Sequence, residues 1–373
     1  AGSFFVISAQ LVEPVDYVTD QLDASASYAG GNWQVKLAYY GSTFRNSNDS
    51  LNWQNPFTFL PGFPGAGAGQ LALPPDNQFH HVTASAGYQF SERTRASADV
   101  AIGRMTQNDA FLASTQNTTL VIPGLPGSSL NGRAATLDAN LKLSSALTPK
   151  LRLNAAYSYN DRDNQTPQAM YPSVVTDMFA GAPRTNLPYS FTQEKFKLSA
   201  DYRATARLKA ALGAEIDSRT RTFQEVDKTR EDTVWGKITA RALDKFYLSL
   251  KLAHGERRNS GYQVVPGIAP PENPLMRKYT MAGRTRDAAG LHVSFPVHER
   301  VNIGLGAEAS EDKYSDSTVG LVSGKDFNIN ADVSVTISED TSVHFFANRQ
   351  EIKSRQVGSQ TFATPDWSGD NRD

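Results

Sequence analysis

The chain has 373 residues, 37 Lys and Arg against 38 Asp and Glu, a net charge of −1 and no cysteine. No stretch approaches the roughly 18 to 20 consecutive apolar residues of a membrane helix, and the balanced charge lacks the basic excess of a general nucleic-acid binder. Without Cys, the chain has no disulfide, thiolate metal site, thiol nucleophile or covalent haem attachment of its own.

From the N-terminus, Ala1 to Ile7 lack the basic start and long apolar core of a signal peptide, so we expect a removed leader or an internal piece of a longer protein. Beyond them the chain alternates with a period of two. Segments 21–29 and 33–44 flank Gly30-Gly31-Asn32, and 79–90 and 94–106 flank Ser91-Glu92-Arg93. In 134–144, Leu137, Ala139, Leu141 and Leu143 interleave with Thr136, Asp138, Asn140 and Lys142. In 151–160, Leu151, Leu153, Ala155, Tyr157 and Tyr159 alternate with Arg152, Asn154, Ala156 and Ser158. Segments 194–204, 207–217, 231–242, 245–254, 287–296, 301–310, 326–337 and 342–353 continue the pattern. Successive strand side chains point to opposite faces, so each segment has one apolar and one polar face. A helix would scatter the same residues around its circumference.

These 14 segments are close to the roughly 9 to 11 residues that a tilted strand needs to cross a bilayer. Of the 19 prolines, which cannot donate to a ladder, only Pro296 touches a span, at its end. The gaps alternate in length: Leu243-Asp244 and 338–341 are short, whereas 45–78, 107–133, 161–193 and 255–286 are long and rich in Pro, Gly, Asn and Asp. Within the first long gap, the run from Leu60 to Gly69 reads as mobile. Short turns at one end and long loops at the other predict an all-β, transmembrane, antiparallel up-and-down β-barrel. The whole of 1–373 reads as one barrel domain.

Aromatic residues gather near the ends of the apolar faces: Tyr28, Trp33, Tyr88, Phe90, Tyr157, Tyr159, Tyr202, Phe246, Phe295 and Phe327. Interfacial belts favour such rings. The opposite parity is polar and charged, and predicts a lumen lined by Arg95, Asp99, Asp138, Asn140, Lys142, Arg152, Asn154, Lys197, Asp201, Arg203, Glu215, Lys237, Arg241, Lys251, His292, Asp332 and His344. Lys209, Asp217, Glu308, Asn330 and Asn348 share that face. The signs are mixed, so we expect a solvated wall with pairs across neighbouring strands and no single dominant charge.

Several segments resemble the decahaem-associated outer-membrane porins of the MtrB/PioB family. They are Asn52-Trp-Gln-Asn-Pro-Phe57, Leu73-Pro-Pro-Asp-Asn-Gln-Phe-His80 with 82–90, and Gly103-Arg-Met-Thr-Gln-Asn-Asp-Ala-Phe-Leu112. Thr148-Pro-Lys-Leu-Arg-Leu-Asn154, Tyr159-Asn-Asp-Arg-Asp-Asn164, Arg184-Thr-Asn-Leu-Pro-Tyr-Ser190 and Arg230-Glu-Asp-Thr-Val-Trp-Gly-Lys237 continue it. Met276-Arg-Lys-Tyr279, Gly358-Ser-Gln360 and Pro365-Asp-Trp367 complete it, so the resemblance spans the chain and includes the loops. The resemblance implies a barrel that sheaths and positions a periplasmic multihaem c-type cytochrome in its lumen. The haem, carried by that partner, conducts electrons across the bacterial outer membrane, to or from a second, extracellular cytochrome or a mineral, in metal reduction or iron oxidation. Family members are longer, begin with a signal sequence and end in a strand. This chain stops at Asp370-Asn-Arg-Asp373, read as loop. We therefore expect a piece of a larger barrel, lacking strands at the C-terminus, with the N-terminus a second place for missing ones. A closed tube of only 14 strands would be narrow for a haem protein. Some relatives carry an N-terminal cysteine pair, which this chain lacks.

The six His, at 80, 81, 254, 292, 298 and 344, show no metal-ligand spacing, and adjacent His80 and His81 in a strand point to opposite faces. Asp161-Arg-Asp163-Asn164, and Glu311-Asp312 with Asp316, are loop carboxylates that invite a Ca²⁺ test without matching an EF-hand. No H-E-x-x-H, P-loop or G-x-S-x-G is present, so no enzyme, cofactor site or metal site is expected in this chain. The alternative function is a general diffusion porin or solute-transport barrel with no redox partner, with an outer-membrane enzyme a distant third. A porin needs an inward-folded charged constriction loop, and the long loops, mostly neutral in sequence, favour the sheath.

Overall fold

The computed structural model describes residues 10–54, 59–60, 63–64, 67–175, 177–242, 245–263, 265, 273–361 and 364–373. Ala1 to Ile7, residues 61, 62, 65 and 66 of the run 60–69, and the turn Leu243-Asp244 lie outside them. Among the described residues there is no α-helix. Fifteen strands follow one another in chain order through a single antiparallel sheet. They are β1 (Tyr17–Gly30), β2 (Trp33–Asn46), β3 (Asn77–Ser91), β4 (Thr94–Gln107), β5 (Gly132–Ala146), β6 (Leu151–Asn164), β7 (Phe191–Arg203), β8 (Leu208–Arg221), β9 (Lys228–Ala242), β10 (Phe246–Asn259), β11 (Arg284–His298), β12 (Val301–Lys313), β13 (Val319–Ser338), β14 (Thr341–Gly358) and β15 (Trp367–Arg372).

All 14 expected segments are strands, and the tail read as loop is a fifteenth. Trp367–Arg372 pairs with β14 from Lys353↔Arg372 to Gly358↔Trp367. Its polar Ser-Gly-Asp-Asn-Arg sequence carries no alternation, and only the neighbouring ladder extends it. The first hairpin turns on Gly31, whose φ of +56° supplies the left-handed conformation that a two-residue connection needs. Pro296 sits in β11 where the register slips between Pro296 and His298, so its missing N–H leaves no regular ladder bond unmade.

The strands are longer than a membrane crossing: most have 13 to 15 residues, and β13 has 20. The outward parity explains this. In β13 it is apolar from Phe327 to Ile337, ten residue steps, or about 33 Å of strand and about 25 Å of height at a tilt of about 40°. On the long-loop side a charged residue ends the apolar run on strand after strand: Asp20, Arg104, Glu194, Asp232, His254, Asp287, Glu311 and Lys325. Beyond that line the outward residues pair as in water: His254 Nδ1 with Asp287 at 2.7 Å, Lys325 with Glu311 at 3.2 Å, Arg45 with Asp20 at 2.5 Å. The hydrogen-bond ladder continues past the membrane as a collar. Sequence alternation ends there because both faces have become polar.

The outward leucines and isoleucines have no protein cover: Leu22, Leu37, Ile102 and Leu212 are 58 to 69% exposed. Lipid is the cover they require. Aromatic rings line the short-turn margin, with Trp33 against Tyr88 at 4.6 Å and Phe246 against Phe295 at 6.0 Å. Among the described residues, β1 pairs only with β2 and β15 only with β14, so both edges of the sheet are open. Each unpaired N–H or C=O in hydrocarbon costs several kcal/mol, so a membrane-spanning tube needs further strands between these edges.

Candidate functional site: the luminal wall and its rim

In an antiparallel ladder, directly opposed residues share a face. Following the register from Arg95↔Ser144 through Asn154↔Ser144, Arg152↔Asp201, Lys197↔Glu215 and Lys237↔Lys251 puts the predicted polar residues of β4 to β10 on one side. Ser249↔His292, Gly304↔Asp332 and Ser334↔His344 carry the same face to β14. All 17 predicted wall residues are therefore on the polar face, opposite the apolar band. His80 and His81 do split: His80 Nδ1 lies 2.8 Å from the Tyr39 hydroxyl on the outward side, and His81 packs on Tyr40 on the inward side.

The register sorts the wall by height. At mid-height, opposite charges face each other. Lys195 Nζ lies 2.8 Å from Asp217 and 3.3 Å from Glu215, and Lys197 Nζ 2.9 Å from Glu215. Gln193 donates to Asp217 at 2.8 Å, and Asn160 to Asp138. Near the short turns cations predominate, although Arg152 opposes Asp201, which accepts from Asn154 at 2.7 Å. Within six positions of those turns, β4 to β10 carry Arg95, Lys142, Arg152, Arg203, Lys209, Lys237, Arg241 and Lys251 on the polar face, against Asp99 and Asp201. Among the described residues, none of the eight cations forms an ion pair. The expected mixture of signs thus holds at mid-height and fails at this end, because sequence order interleaves residues that the pairing separates by level.

At the long-loop end, two luminal arginines hold a loop inward. Arg257 donates through Nε to the Ala282 carbonyl at 2.9 Å and through Nη2 to the Tyr279 carbonyl at 2.5 Å. Arg284 donates to Glu231 at 2.7 Å and lies 3.7 Å from Asp312, which also meets Arg286 at 3.5 Å. Residues 276–277 pair in parallel with 319–320, where Gly320 takes φ +120° and an added Cβ would lie 2.5 Å from the Arg277 carbonyl. Lys278 pairs with Glu225, Asn259 donates to Asp316 at 2.7 Å, and Arg277 stacks over Tyr262 at 4.4 Å. Val226, Met281, Ala282, Tyr314 and Val319 are buried beneath. Burial, with the nearby Asp316 charge, pushes the Tyr262 hydroxyl up to about 12, and it donates to the Lys278 carbonyl at 3.0 Å.

This rim corrects the expectation of neutral, outward loops. Its charges come from stretches far apart in sequence, 223–231, 257–262, 276–286 and 312–316, and only the barrel collects them. The signal available in sequence was parity: Glu231, Arg257 and Arg284 continue the luminal alternation beyond the apolar band. Of the two acidic clusters named for Ca²⁺, the first stays on one strand face and the second is split. Asp161 and Asp163 lie on β6, and Glu311 and Asp312 lie on β12 with opposite parity, one toward Lys325 outside and the other toward Arg284 inside. Among the described residues, no three His, Cys, Asp or Glu side chains gather to hold a metal.

A β-sheet with a lipid-height apolar outer band, an aromatic margin, a polar inner wall and a charged collar defines a β-barrel porin of the bacterial outer membrane. Known barrels agree on the fold. The ferric-catecholate import receptor Fiu of E. coli K12 superposes in its closed form with a TM-score of 0.51 at 10% identity, covering 93% of this chain and 63% of that one. Its open form gives 0.50 at 9%, covering 93% and 61%. The family described as outer membrane beta-barrel porin, MtrB/PioB, matches residues 1–373, and the chain belongs to it. It is 34% identical over 369 residues to Outer membrane protein MtrB of Shewanella baltica (strain OS185), covering 99% of this chain and 52% of that protein. The chain thus spans about half the length of the curated relative it matches.

Proposed function

We propose that this segment forms about half of an outer-membrane barrel that sheaths and positions a multihaem c-type cytochrome, making a conduit for extracellular electron transfer. Membership of the MtrB/PioB family motivates the partner, and the open sheet is the observation that carries the reading. Among the described residues the fifteen strands leave both edges unpaired, so a closed tube takes more than fifteen. Barrel diameter grows roughly linearly with strand number, and large barrels enclose aqueous channels or folded plugs. The lining is polar at every height, as a surface suited to a hydrated protein guest. The barrel's part is insulation and positioning, with the haem and its electrons belonging to the partner and a second cytochrome outside completing the path.

A diffusion porin is the second reading, favoured by the inward loop that Arg257 holds. Purifying the full-length protein in detergent and staining for haem decides between them. Red, haem-positive fractions of fixed stoichiometry support the sheath. Colourless protein with high ion conductance refutes it and supports the porin.

A further inference from the structure

We infer that the short-turn end of the lumen is a docking face for an acidic polypeptide surface, so that the guest enters with its carboxylate-rich end at that mouth. This rests on the reading of a protein guest and adds the guest's polarity and orientation. The observation is the cross-strand pairing. At mid-height, Lys195 opposes Asp217 and Lys197 opposes Glu215. Near the short turns, Arg203 directly opposes Lys209, and Lys237 directly opposes Lys251. Like charges directly opposite destabilise a sheet, and among the described residues none of these four cations forms an ion pair, although Asp201 stands opposite the neighbouring Arg152. At the other end of the lumen, the opposed pair Arg257 and Arg284 is compensated by Glu231 and by loop carbonyls. The excess of cations at this end, eight against Asp99 and Asp201, is therefore a local feature of the wall, and it runs from β4 to β10.

The geometry suits a large anion more than a small one. Arg152, Arg203, Lys209 and Lys237, with Asp201 among them, line an open recess of about 410 Å³, next to a second of about 690 Å³ that holds Arg95, Lys142 and Arg152. The basic face extends over seven strands, several times the Debye length of about 8 Å at physiological salt. A single small anion meets only one or two of these groups, whereas a folded acidic surface meets all of them. Complementary potentials of this kind set orientation and encounter rate more than raw affinity.

The test uses the full-length protein that contains this segment, beside a variant with Arg152→Glu, Arg203→Glu, Lys209→Glu and Lys237→Glu and a second with the same four sites changed to Gln. Heat-modifiable gel mobility checks that each folds, and the Gln variant keeps the test decisive if the reversal does not. In planar bilayers the probe is polyglutamate. Block of the current from the short-turn side, weakened by salt and by about tenfold or more in the reversal variant, with the Gln variant between, supports the inference. Equal block by polylysine, block unaltered in both variants, or chloride selectivity without polyglutamate block overturns it. Haem retention in the same preparations separates the two claims. Haem held equally by wild type and both variants at every salt concentration overturns acidic docking and leaves the sheath standing. A wild type without haem overturns the sheath, while the polyglutamate result still decides the charge of the wall.

Discussion

Replacing Arg257 with alanine should release the inward loop while leaving the barrel folded. The guanidinium is bound to two loop carbonyls, at Tyr279 and Ala282, and a hydrogen bond to a charged group contributes about 1.5 to 3 kcal/mol. The two bonds share one side chain, and the freed carbonyls regain water when the loop lifts, so we take about 3 kcal/mol for the pair. At about 1.4 kcal/mol per decade, the population of the open loop rises about a hundredfold. Trypsin reads this directly, because Arg277 and Lys278 lie in the loop and cleavage of a briefly opened segment tracks its population when closing is fast. The control is Arg258→Ala, one residue away on the outward face, where the side chain binds Glu256 two residues back. Cleavage after residues 277 and 278 should rise about a hundredfold for Arg257→Ala and stay unchanged for Arg258→Ala. Equal rates in both would mean that the buried Met281 and Ala282 hold the loop and that the arginine clamp does not.

Two further outcomes concern the band and the rim. Leu250→Arg puts a charge within the apolar band and should cost about 2 to 4 kcal/mol in urea unfolding from lipid vesicles, whereas His254→Arg at the boundary should cost under about 1 kcal/mol; equal costs would place the lipid boundary elsewhere. Tyr262, with its pKa raised from 10.0 to about 12, stabilises the rim fully below pH 10 and loses that contribution as pH rises toward 12, because only the protonated hydroxyl is favoured there. Ultraviolet difference titration against Tyr262→Phe should show this group ionising near 12, and ionisation near 10 would mean that the loop does not pack over it.

The strands themselves were legible because lipid and water impose a strict two-residue rhythm. Leu137 to Leu143 and Phe327 to Ile337 could be assigned by parity alone, and so could the side on which Lys142 or Asp332 lies. Parity also shows why Glu311 and Asp312 cannot act together. Where the rhythm stops, legibility ends: β13 begins at Val319 and not at 326, and β15 has no rhythm at all.

By itself, then, the sequence determined the fold class and the two faces of each strand, since each depends only on residue identity at alternating positions. Register and height came from tertiary structure. They set Lys237 against Lys251 and Lys195 against Asp217, so one level of the wall is neutralised and another keeps an excess of cations. They also bring Glu225, Arg257, Lys278 and Asp316 together from four separate stretches of chain. The reason is that alternation fixes direction without distance. How far a charge stands from its opposite depends on the stagger of tilted strands, and hydrogen bonding and packing across the whole sheet set that stagger.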